Sequence, residues 1–109
     1  MTKQKLKPIV VWTTSDDRAV LQLLAEELVK HKLAACAQIS GPITSVYRWE
    51  GRIESSEEFR LTIKTAESLY PKVETTIRKH HNYDVPQLVS VAVGQISDDY
   101  FAWFAEALN

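Results

Sequence analysis

Short apolar runs, separated by polar and turn-forming segments, divide the chain into seven predicted elements. Strands are predicted at 8–14, 33–49, 52–65 and 88–93, where β-branched and aromatic residues cluster or alternate. Helices are predicted at 16–32, 68–81 and 100–108, where apolar residues recur at helical spacing. This order predicts an α+β fold of the ferredoxin-like β-α-β-β-α-β type, with a long hairpin between the second and third strands and an extra C-terminal helix.

Polar residues and breakers predict the ends of these elements. Ser15, Ser68 and Ser97 each precede a helical pattern, so each is expected to cap a helix. Gly41-Pro42 interrupts the second strand and predicts a turn or bulge there. The segment 55–58 is wholly polar, and we expect it to be irregular.

The hairpin formed by the second and third strands is unusually long. Tyr47 and Trp49 lie near its tip and share one face, because residues two apart in a strand point the same way. Two helices cannot cover so long a hairpin, and a monomer would leave its edge and aromatic surface in water. We therefore expect a homo-oligomer in which another copy of the chain covers this surface.

Composition limits the classes of partner. The chain has 109 residues, 45% of them hydrophobic, and a formal net charge of −1. These values fit a single domain at 8–109 after a flexible segment at 1–7, and they give no basic field for nucleic acid or an anionic membrane. The chain has one cysteine and no apolar run that resembles a secretory signal, so a cytoplasmic location is expected.

An enzymatic role is not expected. The sequence shows no nucleophile with an adjacent base, no paired carboxylates and no phosphate cradle. The loop after the first strand, at 14–17, contains two aspartates, which would repel phosphate. The residues therefore favour a binding protein over an enzyme.

Four stretches carry a resemblance to a known family. They read Lys-Leu-Ala-Ala-Cys at 32–36, Ser-Val-Tyr-Arg-Trp-Glu-Gly at 45–51, Lys-Thr at 64–65 and His-His-Asn-Tyr-Asp-Val-Pro at 80–86. Together, in this order, they resemble the CutA family of divalent-cation tolerance proteins. The resemblance implies a homotrimer joined through its sheets, a lateral cleft at each subunit boundary, and an association with copper and other divalent cations.

The resemblance also implies which residues line the intersubunit cleft. They are Tyr47, Trp49, Lys64, Tyr83 and Asp84. Aromatic rings with a cation and a carboxylate suit a small polar ligand, and we expect a small anionic one. The alternative is that the aromatic residues anchor the subunit interface and that Lys64 and Asp84 form a weak surface pair. The two interpretations are compatible.

His80 and His81 are the candidate metal ligands. Neighbours on a helix end diverge by about 100°, so they cannot readily share a metal within one chain. Alternatively, they only complement the negative helix terminus. The resemblance further implies a cysteine ligand at the end of the first strand, where this chain has Thr13, and a proline where it has Asn82, a change expected to loosen the turn.

Cys36 lies beside alanine in a strand expected to be buried, so we expect it to pack as a small hydrophobe. Copper(I) capture or redox sensing is the alternative. No cofactor is required, and copper(II) or another divalent cation is expected to bind weakly. An alternative function is a small-molecule-sensing signalling trimer like the nitrogen-regulatory proteins, without a physiological metal.

Overall fold

The computed structural model describes residues 6–109, and residues 1–5, most of the predicted flexible segment, lie outside it. The elements are β1 Pro8–Ser15, α1 Arg18–Lys30, β2 Cys36–Trp49, β3 Arg52–Ala66, α2 Tyr70–His80, β4 Val89–Ala92 and α3 Asp98–Ala107. Across the described residues the strands form an antiparallel sheet in the order β2-β3-β1-β4. The predicted ferredoxin-like α+β fold, with its long hairpin and extra helix, is confirmed.

One face of the sheet carries the main core. Val11 of β1 pairs with Ile63 of β3, and both are fully buried. Apolar residues of α1 and α2 cover this pair and its neighbours, so the helices shield the sheet on this side. The helical contribution comes from Leu21, Leu24, Leu28, Val73 and Ile77. Among residues 6–109, no helix has the length and apolar content needed to span a bilayer.

The opposite face of the sheet, which we call the open face, keeps apolar and aromatic residues in contact with solvent. Trp12 lies there, and its Nε1 donates a hydrogen bond of 3.1 Å to Thr62 Oγ1. The Arg60 guanidinium lies 5.4 Å from the centre of the Trp12 ring. Val89 and Val91 of the edge strand β4 pair with β1 on this face and remain exposed.

A bulge in β2 sets the orientation of the hairpin. Ser40 pairs with Arg60 and Ile43 pairs with Glu58, so β2 advances by one residue more than β3 between these pairs. One extra residue reverses which side chains face each side of a strand. Beyond the bulge, odd-numbered residues of β2 therefore point to the open face. The bulge predicted at Gly41-Pro42 is confirmed.

Two predicted helix caps and one predicted irregular segment need correction. Helix α1 begins at Arg18, and its cap is Asp17, whose side chain accepts the Ala19 amide hydrogen; Ser15 is the last residue of β1. Ser68 caps nothing, because a 3₁₀ turn at Glu67–Leu69 leads directly into α2. The segment 55–58 is regular strand throughout, since cross-strand pairing with β2 overrides its polar composition.

Leu6 and the C-terminal helix α3 pack near the start of β1. Phe104 of α3 is buried against Ala35 and Ala66, and Leu6 contacts the same cluster. Cys36 is only half-buried, because β2 is an edge strand. The expectation that Cys36 lies inside a buried strand is therefore wrong.

Replacing Gly41 tests whether the bulge holds the hairpin in place. Its φ of 133° disfavours any side chain, and a Cβ would lie 3.0 Å from Phe59 Cδ2 and 3.1 Å from the Glu58 carbonyl oxygen. Gly41→Ala should therefore lower the free energy of unfolding by roughly 1–3 kcal/mol. The matched control is Gly94→Ala, where a Cβ meets nothing within 4 Å. Equal denaturant stability of the two variants would contradict this role for the bulge.

Candidate ligand pocket and histidine loop

The loop after α2 is fastened to the end of β1 by side-chain hydrogen bonds. Asn82 accepts a bond of 2.7 Å from Ser15 Oγ and donates one of 2.9 Å to Asp16 Oδ1. His81 Nε2 lies 2.9 Å from the Thr14 carbonyl oxygen. Asn82 thus ties the loop down, and the expectation that it loosens the turn is wrong.

The Tyr83 hydroxyl joins this loop to both central strands. It donates a hydrogen bond of 2.6 Å to Glu58 Oε2 on β3 and accepts one of 2.9 Å from the Asp16 amide that follows β1. Burial and the bond to Glu58 raise the pKa of Tyr83 well above its ordinary value. The phenol therefore stays protonated and acts as a fixed donor.

Both ring nitrogens of His81 are already engaged. Nδ1 accepts the Tyr83 amide hydrogen at 3.0 Å, so the proton of the neutral ring is assigned to Nε2, which donates to Thr14. Desolvation by burial lowers the pKa of His81, although the Thr14 carbonyl and the Glu58 carboxylate oppose this effect. A metal ion would have to displace one of these hydrogen bonds to reach a ring nitrogen.

The other candidate metal ligands do not gather around His81. His80 ends α2, whereas Cys36 begins β2. Thr13, at the position where the resemblance implies a cysteine, is fully buried, and its Oγ1 has no hydrogen-bond partner in the described chain. Within residues 6–109, no three His, Cys, Asp or Glu side chains are close enough to hold a metal. The described part of a single chain therefore offers no preformed site with three such ligands.

A cavity of about 780 Å³ opens between the hairpin and the loop. Its sheet side is formed by residues that share the open face, namely Thr14, Ser45, Tyr47, Trp49 and Glu58. The loop residues 83–87 form the other side. Four of the five predicted cleft residues are brought together here, because the bulge turns Tyr47 and Trp49 toward Tyr83 and Asp84.

Lys64, the fifth predicted cleft residue, lies elsewhere in the chain. It lines a smaller cavity of about 300 Å³ beside α3, with its Nζ 5.5 Å from the centre of the Tyr100 ring. Sequence reasoning missed Thr14 and Glu58, which line the larger cavity. The alternation of residues along β3 indicates which face of the sheet Glu58 occupies. The burial of Glu58, however, depends on tertiary contacts.

The sequence pattern described as CutA1 divalent ion tolerance protein matches residues 9–107. The chain belongs to the CutA1 family. The divalent-cation tolerance protein CutA of Thermus thermophilus is 33% identical over 97 residues, which cover 89% of this chain and 94% of that protein. The family resemblance drawn from the four sequence stretches is confirmed.

Two plant members of the CutA family are also similar. The chloroplastic CutA protein of Arabidopsis thaliana is 40% identical over 95 residues, which cover 87% of this chain but only 52% of that protein. CutA1 from Oryza sativa is 33% identical in sequence. Its crystal structure matches this fold with a TM-score of 0.91, and the match covers 95% of each chain. The cytoplasmic location expected for this CutA family member stays a prediction.

Titration of His81 tests the hydrogen bonds that hold the loop. Its pKa in the folded protein should lie below the ordinary value of 6.5, with the proton of the neutral ring on Nε2. Because the folded state binds this proton less readily than the unfolded state, the His81 contribution to stability is complete above about pH 6.5 and is lost as pH falls through the lowered pKa. Nuclear magnetic resonance measures both the pKa and the tautomer.

The matched variant is His81→Gln, which cannot titrate and should flatten that part of the pH dependence of unfolding. A His81 pKa of 6.5 or higher, or a neutral ring protonated on Nδ1, would contradict the assigned hydrogen bonds.

Proposed function

We propose that this member of the CutA family acts as a homotrimer in the tolerance of divalent cations, that it binds copper(II) or other divalent cations only weakly, and that it catalyses no reaction. Family membership supports the role in cation tolerance. The assembly and the weak binding are argued from the open face and the histidine loop.

The observation that carries the assembly is the apolar surface of the open face and the hairpin. Val91 of β4 is 45% exposed, and Trp49 of β2 is 52% exposed. Val46 and Ile53, on the other face of the hairpin, are 67% and 71% exposed. Apolar surface of this extent beside two sheet edges favours burial against further copies of the chain.

Weak metal binding follows from the donor set. His80 offers an imidazole that makes no hydrogen bond or ion pair in the described chain, whereas both nitrogens of His81 are engaged. One free imidazole gives an incomplete coordination shell for copper or zinc. Solvent or another subunit would have to supply the remaining ligands.

Light scattering tests the trimer. The native chain should show three times its mass of 12.4 kDa at micromolar concentration. Val91→Lys, on the open face, should shift the population toward the monomer, because it places a charge in the proposed interface. The matched control is Leu23→Lys on α1, at 44% exposure, which should leave the mass unchanged. A native mass equal to one chain would refute the assembly.

Calorimetric titration with copper(II) tests the metal proposal. Affinity should be micromolar or weaker, and it should fall further in acid, because protonated imidazole cannot bind a metal. His80→Ala, alone or with His81→Ala, should remove most of the binding and leave the trimer intact. The control is His31→Ala on the α1 end. Nanomolar affinity would contradict the weak binding. Affinity that survives the double change would place the metal elsewhere and make Cys36 the next residue to test.

A second candidate function is a trimer that senses a small molecule, as the nitrogen-regulatory proteins do. The observation that favours it is the 780 Å³ cavity between the hairpin and the loop, which has the size and the aromatic walls of a small-molecule site. The expected anionic ligand depends on Lys64, which would have to reach this cavity from a neighbouring subunit.

A further inference from the structure

The larger cavity has acidic walls. Glu58 and Asp84 both line it, and no lysine or arginine of the described chain does. Two arginines of β3 lie on the same sheet face and contact other groups: Arg60 lies over the Trp12 ring, and Arg52 Nε is 3.8 Å from Glu54 Oε2. The charges that one chain contributes to the cavity walls therefore favour a positively charged occupant.

Glu58 is a buried carboxylate on the wall of this cavity. Its exposure is 7%, and the Tyr83 hydroxyl is its hydrogen-bond donor. No lysine, arginine or histidine at positions 6–109 forms an ion pair with it. Buried carboxylates are ordinarily paired with a cation, because a hydroxyl donor compensates only part of the cost of desolvating the charge. A bound cation would complete the environment of Glu58.

The remaining walls select the kind of cation. Tyr47, Trp49 and Tyr83 place three aromatic side chains around the cavity, and the faces of such rings attract organic cations. A metal ion would need at least three close ligands, and the described residues provide no such group. The volume of about 780 Å³ also far exceeds that of a metal ion and suits an organic molecule.

We propose that this cavity binds an organic ammonium cation, with its charge near Glu58 and Asp84 and its carbon groups against Tyr47 and Trp49. The inference rests on the second candidate function, ligand sensing at this cavity, and names its ligand class. It is the alternative to the expected anionic ligand, which would need Lys64 from a neighbouring subunit, because within one chain Lys64 lines a different cavity.

Calorimetry with choline tests the charge of the ligand. Choline should bind at least about tenfold more tightly than its uncharged analogue in which carbon replaces the quaternary nitrogen, because only the charged compound gains from the carboxylates and the ring faces. The preference should shrink as salt is added, since salt screens the attraction between charges. Inorganic phosphate is titrated in parallel as the anionic probe.

Two variants and one matched control test whether choline binds in this cavity. Glu58→Gln keeps the side-chain size and an oxygen that accepts the Tyr83 hydroxyl, and it should abolish most of the preference for choline. The control is Glu57→Gln, an exposed neighbour on the other face of β3, which should leave the preference unchanged. Trp49→Leu, near the hairpin tip, should weaken choline binding several-fold and does not depend on the buried carboxylate.

The outcomes separate this inference from the functions proposed above. Equal affinity for choline and its uncharged analogue, or equal losses in Glu57→Gln and Glu58→Gln, would overturn the inference. Phosphate binding that Trp49→Leu weakens would overturn the ligand charge and leave ligand sensing intact. Absence of binding by all three probes would overturn ligand sensing as well, while the trimer and copper proposals have their own measurements.

Discussion

The bulge in β2 is the constraint on which the rest of the hairpin depends. One extra residue between Ser40 and Ile43 exchanges the two faces of the strand, so that Tyr47 and Trp49 point to the side where Glu58 lies. Without it, the same aromatic residues would point away from the loop and the cavity would lose one wall. The positive φ of Gly41 and the close backbone of β3 make this conformation specific to glycine.

The loop after α2 forms the second wall, and its hydrogen bonds decide what chemistry is available. His81, Asn82 and Tyr83 each bond to the end of β1, and Tyr83 also reaches Glu58. The Thr14 carbonyl engages Nε2 of His81, the Tyr83 amide engages its Nδ1, and the Tyr83 hydroxyl is held against the buried carboxylate of Glu58. The same interactions therefore weaken a metal site at the histidines and shape an acidic, aromatic cavity beside them. The hydrogen bonds of His81 and Tyr83 therefore bear on both the proposed metal binding and the proposed binding of an organic cation.

The two faces of the sheet both carry apolar residues, but they differ in how far the helices cover them. Around Val11 and Ile63, one face of the sheet is covered by α1 and α2, so this part of the face stabilises the single chain. On the open face, Val89 and Val91 of the edge strand β4 remain exposed, and Trp12 of β1 is half-buried. Apolar area buried only on assembly would tie stability to the concentration of the chain. Because of its exposed apolar area, the open face is the surface through which the proposed trimer would form.

Local patterns in the sequence were enough for the element order and the fold class, because period-two and helical spacings, together with Gly41-Pro42, act through neighbouring residues. The family, and the grouping of Tyr47, Trp49, Tyr83 and Asp84 as one set, came instead from the resemblance of four sequence stretches to the CutA family. Only the tertiary structure decided that polar 55–58 is regular strand, that Cys36 is half-exposed at an edge, and that Glu58 is buried. Each of these depends on which distant segment lies alongside, and residue type carries no such information.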